Sequence, residues 1–148
     1  MIVLGFDTST RATAVALLVS ERPPGEARDD PPAGAHPGHA TRLLGMAQRL
    51  LHDAGIAWSE IDRIAVGLGP GTFTGLRVGV ATARGLAQSL GAELIGVSST
   101  RALALPAMAA ERLNAEDCDR AVLSVIDARR GEAFVAAYRA GARGMAQE

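Results

Sequence analysis

Ile2 to Phe6 is a short apolar run, Asp7-Thr8-Ser9-Thr10-Arg11 is polar, and Thr13 to Val19 is a second run rich in β-branched and apolar residues. Two such runs around a short polar loop predict an antiparallel hairpin. The pattern then breaks. Ser20 to Pro37 holds Pro23, Pro24, Pro31, Pro32 and Pro37, together with Gly25, Gly34 and the pair Asp29-Asp30. Proline cannot donate to a ladder, so residues 20–37 read as a long Pro-rich loop with at most a poor edge strand.

Helical spacing begins after it. Leu43, Leu44, Ala47, Leu50, Leu51 and Ala54 recur at i, i+3, i+4 and i+7 within Gly38 to Ala54, and Gly55 is a natural stop. Ile61 to Leu68 predicts a strand, Thr74 to Leu90 a helix ended by Gly91, and Glu93 to Val97 another short strand. Ser98-Ser99-Thr100 can cap a third helix running to about Leu113, with a break expected near Pro106. Ala121 to Ile126 and Glu132 to Tyr138 read as two strands around Asp127-Ala-Arg-Arg-Gly131. The order β-β-(loop)-α-β-α-β-α-β-β indicates an α/β layered domain with a mixed sheet and flanking helices. An opening hairpin followed by β-α-β-α points to the ribonuclease-H-like half of the actin/Hsp70/sugar-kinase architecture. On this reading residues 1–105 form that N-terminal half, and residues 106–148 hold a connecting helix and the incomplete start of a second half.

Composition narrows the chemistry. Aromatics are only 3% of 148 residues, so the core must be built from Ala, Val, Leu and Ile. A net charge of -1 argues against a chain that holds nucleic acid by its own electrostatics. Every basic residue is Arg, which excludes a P-loop lysine, a Schiff-base lysine and a lysine general base. The one cysteine, Cys118, permits no internal disulfide and reads as an incidental thiol. The N-terminus has no basic region and reaches Asp7 quickly, so neither a signal peptide nor a membrane span is expected there; the expected location is cytoplasmic.

Two segments could bind an anion. Asp7-Thr8-Ser9 places an acid and two hydroxyls at a hairpin turn, where hydroxyls and amides can meet phosphate oxygens and the acid a hydrated magnesium; an ordinary Asx or Ser/Thr turn is the plainer reading. Gly69, Gly71 and Thr72 lie between a predicted strand and a predicted helix, where free amides favour negative charge. The segment is neither a P-loop nor the dinucleotide Gly-x-Gly-x-x-Gly fingerprint, and tight packing accounts for its glycines equally well. In the helix that follows, Gly75, Gly79, Ala83 and Ala87 fall on one face, flanked by Leu76, Val80 and Leu86. Each helical Gly costs about 1 kcal/mol relative to Ala, so something packs there, either an element of the same chain or another chain. His36, His39 and His52 are read as structural or incidental rather than as metal ligands. Asp127 to Gly131 reads as a solvated turn, and no Ser/His/Asp or Cys/His arrangement can be assembled.

Three blocks together resemble the TsaB (YeaZ) family: Ile2-Val-Leu-Gly-Phe-Asp-Thr-Ser9, Gly67-Leu-Gly-Pro-Gly-Thr-Phe-Thr-Gly-Leu-Arg-Val-Gly79, and Ser124-Val-Ile-Asp-Ala-Arg-Arg-Gly-Glu132. The resemblance covers nearly the whole chain outside the Pro-rich stretch, where the family usually has its third strand. It implies the actin-like ATPase fold, whose nucleotide cleft lies between two similar halves. The paralogue TsaD is the catalytic member and carries a His-x-x-x-His metal pair; here Ser99 and Leu103 stand at those positions, and neither can replace an imidazole ligand. The resemblance therefore implies a non-catalytic scaffold with no metal and no tightly bound cofactor, ATP with magnesium at the two loops being the only candidate ligand. It implies a heterodimer with TsaD, the ATPase TsaE in the complex, self-association as a homodimer, and contact with tRNA only through the complex, which transfers a threonylcarbamoyl group to N6 of adenosine 37 in ANN-decoding tRNAs. It also tilts the Gly75/Gly79/Ala83 face toward an interface with another chain. The competing readings are a free-standing nucleotide-dependent phosphotransferase of the actin-like class and, less favoured, a metallopeptidase, an older label for the family.

Overall fold

The computed structural model describes residues 1–110, 120–129, 131–139 and 146–147. The opening hairpin forms as its pattern requires: β1 (Ile2–Asp7) pairs antiparallel with β2 (Thr13–Val19), Gly5 opposite Ala16. After it come β3 (Gly25–Asp29), α1 (His39–Ala54), β4 (Arg63–Gly67), α2 (Phe73–Leu90) and β5 (Glu93–Val97). The sheet order is β3-β2-β1-β4-β5, with β1, β4 and β5 parallel and the hairpin side antiparallel. This is the mixed α/β sheet with flanking helices expected from the element order.

The helices cover one face. Leu4, Phe6, Val15, Leu17, Ile64 and Val66 alternate toward it and meet Leu43, Ala47 and Leu51 of α1 and Ala83 and Ala87 of α2. Both helices end where glycine permits a left-handed residue, Gly55 at φ 69° and Gly91 at φ 67°. At the start of α2, Thr72 Oγ1 accepts the Gly75 N–H at 3.3 Å. No helix among the described residues is long and apolar enough to cross a membrane.

One expectation is sharpened and one changes. The stretch 20–37 is not simply a loop: Gly25 to Asp29 forms β3, antiparallel to β2. Its prolines all lie outside that strand, so none removes a ladder bond, and β3 takes the edge position that a proline-flanked segment can hold. Pro106 does not break the third helix; α3 runs through it from Ser99 to Ala110. The boundary placed between residues 105 and 106 thus falls inside one helix. The proposed extension to Leu113, like Cys118, lies outside the described residues.

Beyond α3, β6 (Ala121–Arg129), β7 (Glu132–Arg139) and β8 (Ala146–Gln147) make a second, antiparallel sheet. β6 runs further than Ile126, with a register irregularity between Asp127 and Arg129, which shortens the expected turn. α3 packs on this sheet through Ala104 and Met108, against Ala136, Tyr138 and Val122.

Candidate functional site

The β1–β2 turn and the Gly-rich loop meet at the end of the first sheet. Asp7 closes β1, and its Oδ1 accepts the Ser9 N–H at 2.6 Å, an Asx turn. Its Oδ2 accepts the Ser99 hydroxyl at 2.5 Å. Ser9 Oγ donates to Ser99 Oγ at 3.1 Å, and the Gly69 N–H donates to the same oxygen at 3.2 Å. Thr8 Oγ1 donates to the Gly75 carbonyl at 2.7 Å, and the Thr72 N–H to the Ser9 carbonyl at 2.6 Å. Thr8, Ser9 and Ser99 are all buried. The structure therefore does bring together Asp7, Thr8, Ser9, Gly69, Gly71 and Thr72, but it bonds their polar atoms to one another and to Ser99 and Gly75 of the same chain.

The glycines explain why the two loops fit so closely. A methyl group on Gly71 would run into the Ser9 carbonyl, one on Gly75 into the Thr8 carbonyl, and one on Gly67 into the Asp7 carboxylate. On Gly79 it would lie 2.5 Å from Thr8 Oγ1. The signature block thus permits the backbone of the β1–β2 turn to lie directly on the first two turns of α2.

This corrects the expectation that the small-residue face of α2 meets another chain. Gly75, Gly79, Ala83 and Ala87 are its buried residues and face the turn and the core of their own chain. Val80 and Leu86 pack against that core, and a methyl group on Gly69 would lie 3.2 Å from Leu76. Periodicity locates such a face but cannot say what fills it. The outward face of α2 is different: Thr74, Arg77, Ala81, Arg84, Gly85 and Gln88 are exposed there. Phe73, also exposed, carries the Arg77 guanidinium 3.8 Å over its ring. On α1, Leu44 and Gly45 are likewise exposed.

Ser99 and Leu103 sit one turn apart on α3, but only Ser99 is buried; Leu103 is exposed. Their neighbours contribute what sequence reasoning missed. Thr100 Oγ1 lies 2.7 Å from Tyr138 OH, and Ser124 Oγ donates to the Thr100 carbonyl at 2.7 Å. The only signal for this was three successive hydroxyl residues after a strand, which also serve as a helix cap. The face of the sheet opposite α1 and α2 carries a depression of about 710 Å³, floored by Gly5, Ala14, Ala16, Ala65 and Gly67, with Asp7 at its end.

Of the histidines, His36 is exposed and His39 is buried at the start of α1, its Nδ1 2.9 Å from Thr13 Oγ1 and its Nε2 without a partner. Burial lowers the His39 pKa from 6.5, against smaller raising effects of the Thr10 backbone, Asp29 and Asp7. A depressed histidine pKa means that the unfolded chain binds the proton more readily. Stability is therefore full above the unfolded value near 6.5 and falls as pH drops from there toward the folded value. Urea midpoints should fall between pH 8 and pH 5, and His39→Gln should flatten that dependence; an unchanged slope would remove His39 as its source.

Comparison with known proteins agrees with this architecture. The family model described as TsaD, tRNA N6-adenosine threonylcarbamoyltransferase, matches residues 31–147. The chain is similar to the tRNA threonylcarbamoyladenosine biosynthesis protein TsaB of Escherichia coli, at 38% identity over 98% of this chain and 58% of that protein. It is 37% identical to TsaB of Haemophilus influenzae over 89% of this chain and 51% of that one. Among solved structures, YeaZ from Pseudomonas aeruginosa superposes with a TM-score of 0.83 at 35% identity, covering 99% of this chain and 64% of that one. The chain thus spans about half to three fifths of the length of these curated relatives. The mixed sheet with its flanking helices, the glycine block seated on the β1–β2 turn and these likenesses agree, and the chain belongs to the family described by the TsaD model, with TsaB and YeaZ proteins among its relatives.

Proposed function

We propose that this chain acts in tRNA threonylcarbamoyladenosine synthesis as a non-catalytic association subunit, a scaffold for a TsaD-type partner that performs the transfer. The observation that carries this reading is the closed bonding of the candidate site. Ser99 occupies one Asp7 carboxylate oxygen and the Ser9 N–H the other. The glycines of the loop are filled by backbone of the same chain. A phosphate or hydrated magnesium would have to displace bonds already made, so tight nucleotide binding is not proposed, and neither is the phosphotransferase alternative. Ser99 and Leu103 supply no metal ligands, which also disfavours a metallopeptidase.

The names of the relatives support the pathway. The expected partners are a TsaD-type subunit, directly, and a TsaE-type ATPase and tRNA through the assembled complex, in the cytoplasm. The outward faces of α1 and α2 are the surface offered for that contact and for self-association. Gly45 and Gly85 lie there with open space where a methyl group would project, which lets another helix approach closely.

The test is association. The purified chain mixed with the TsaD-type protein of the same organism should form a heterodimer at micromolar concentration, read by light scattering after size exclusion. Two separate species at that concentration would reject the scaffold reading.

A further inference from the structure

Three consecutive residues at the start of α3 reach three different places. Ser98 closes the helix's own first turn, its carbonyl accepting the Ala102 N–H at 2.9 Å and its Oγ the Arg101 N–H at 3.4 Å, and the same Oγ lies 2.9 Å from Thr100 Oγ1, beside the Tyr138 bond. Ser99 turns to the first sheet. Its hydroxyl has one proton and two lone pairs, and all are used: the proton goes to Asp7, and the lone pairs take Ser9 Oγ–H and Gly69 N–H. Its own N–H donates to the Gly69 carbonyl at 2.9 Å. Thr100 turns to the second sheet, meeting Tyr138 through its hydroxyl and Ser124 through its carbonyl. Thr100 is 2% exposed, Ser99 and Ser124 4%, and Tyr138 1%.

We infer that Ser99 and Thr100 form a joint that couples the β1–β2 turn to the β6–β7 hairpin, so that a change at Asp7 is felt at Tyr138. Adjacent helical residues point about 100° apart, so one step along the backbone redirects the bonding from one sheet to the other. Among the described residues the apolar contact between α3 and the second sheet includes Ala104, Met108, Ala136, Tyr138 and Val122. Aliphatic contact has no direction of its own, whereas a buried, hydrogen-bonded network fixes geometry. Ser99 is a positioning residue: it holds the first turn of α3, and Thr100 rides on that turn.

Hydrogen exchange resolved by strand tests this on the full chain. In Ser99→Ala the amides of β6 and β7 should exchange about tenfold faster while those of β2 and β4 stay within about twofold. Unchanged β6–β7 protection, or the same acceleration in every strand, would overturn the joint. Tyr138→Phe reads it from the other end and covers the case in which Ser99→Ala fails to fold. Coupling is reciprocal, so the Ser9 and Thr72 amides, which lie on the first sheet's side, should then exchange faster. Unaltered exchange at both would overturn the inference equally.

Discussion

Gly75→Ala is expected to destabilise the fold by about 3 kcal/mol or more, a large share of the roughly 5–15 kcal/mol available to a domain. The added methyl group would lie against the Thr8 carbonyl, and a backbone oxygen cannot rotate away as a side chain can. Relief requires moving the β1–β2 turn, which would strain the Thr8–Gly75 and Ser9–Thr72 bonds together. Gly85→Ala is the control on the same helix. It meets nothing within 4 Å and should stabilise by up to about 1 kcal/mol through helix propensity alone. Urea unfolding followed by circular dichroism measures both. If Gly75→Ala cost less than about 1 kcal/mol, the close packing of loop on helix could not be what its glycine serves.

The second large effect is on association. Gly85→Trp on the outward face of α2 should weaken the proposed heterodimer with a TsaD-type protein by about tenfold or more while leaving the free chain's unfolding midpoint nearly unchanged. Gly79→Leu should do the reverse in origin: its Cβ alone would lie 2.5 Å from Thr8 Oγ1, so any loss of binding would follow loss of folding. Titration calorimetry on both variants, with their stabilities measured in parallel, separates the two faces. An unchanged affinity in Gly85→Trp would remove the outward helical surface as the contact.

Most of the first sheet was legible because its signals are local. The apolar runs Ile2 to Phe6 and Thr13 to Val19, the 3.6-residue spacing of Leu43, Ala47 and Leu51, and the glycines at 55 and 91 each report a neighbour a few residues away. β3 was obscured because Gly25 to Asp29 carries Glu26 and Arg28 on its exposed side and too few apolar residues to show a period, while the flanking prolines dominate the composition. Pro106 misled in the opposite direction, since tertiary packing of α3 on the second sheet outweighs the local penalty.

The candidate site was half legible. Sequence identified Asp7, Ser9 and the Gly69–Thr72 loop, and adjacency to a helix start was enough for that. It could not show that these groups satisfy each other, because the bond that closes the set joins Asp7 to Ser99, far along the chain. The small-residue face of α2 failed for the same reason. A stripe of glycine and alanine specifies closeness, not the identity of the neighbour, and the neighbour is a turn more than sixty residues earlier.

The scarcity of aromatic residues, besides constraining the core, makes the molecule self-reporting to light. Its single tryptophan, Trp58, packs against the first sheet's core and donates its indole N–H to Gln48 at 2.6 Å. Its single tyrosine, Tyr138, is buried within β7 of the second sheet. Each chromophore therefore sits in one part of the chain: excitation beyond the tyrosine band follows the first sheet alone during unfolding, and the signal added on exciting within that band carries the second sheet, without any attached dye.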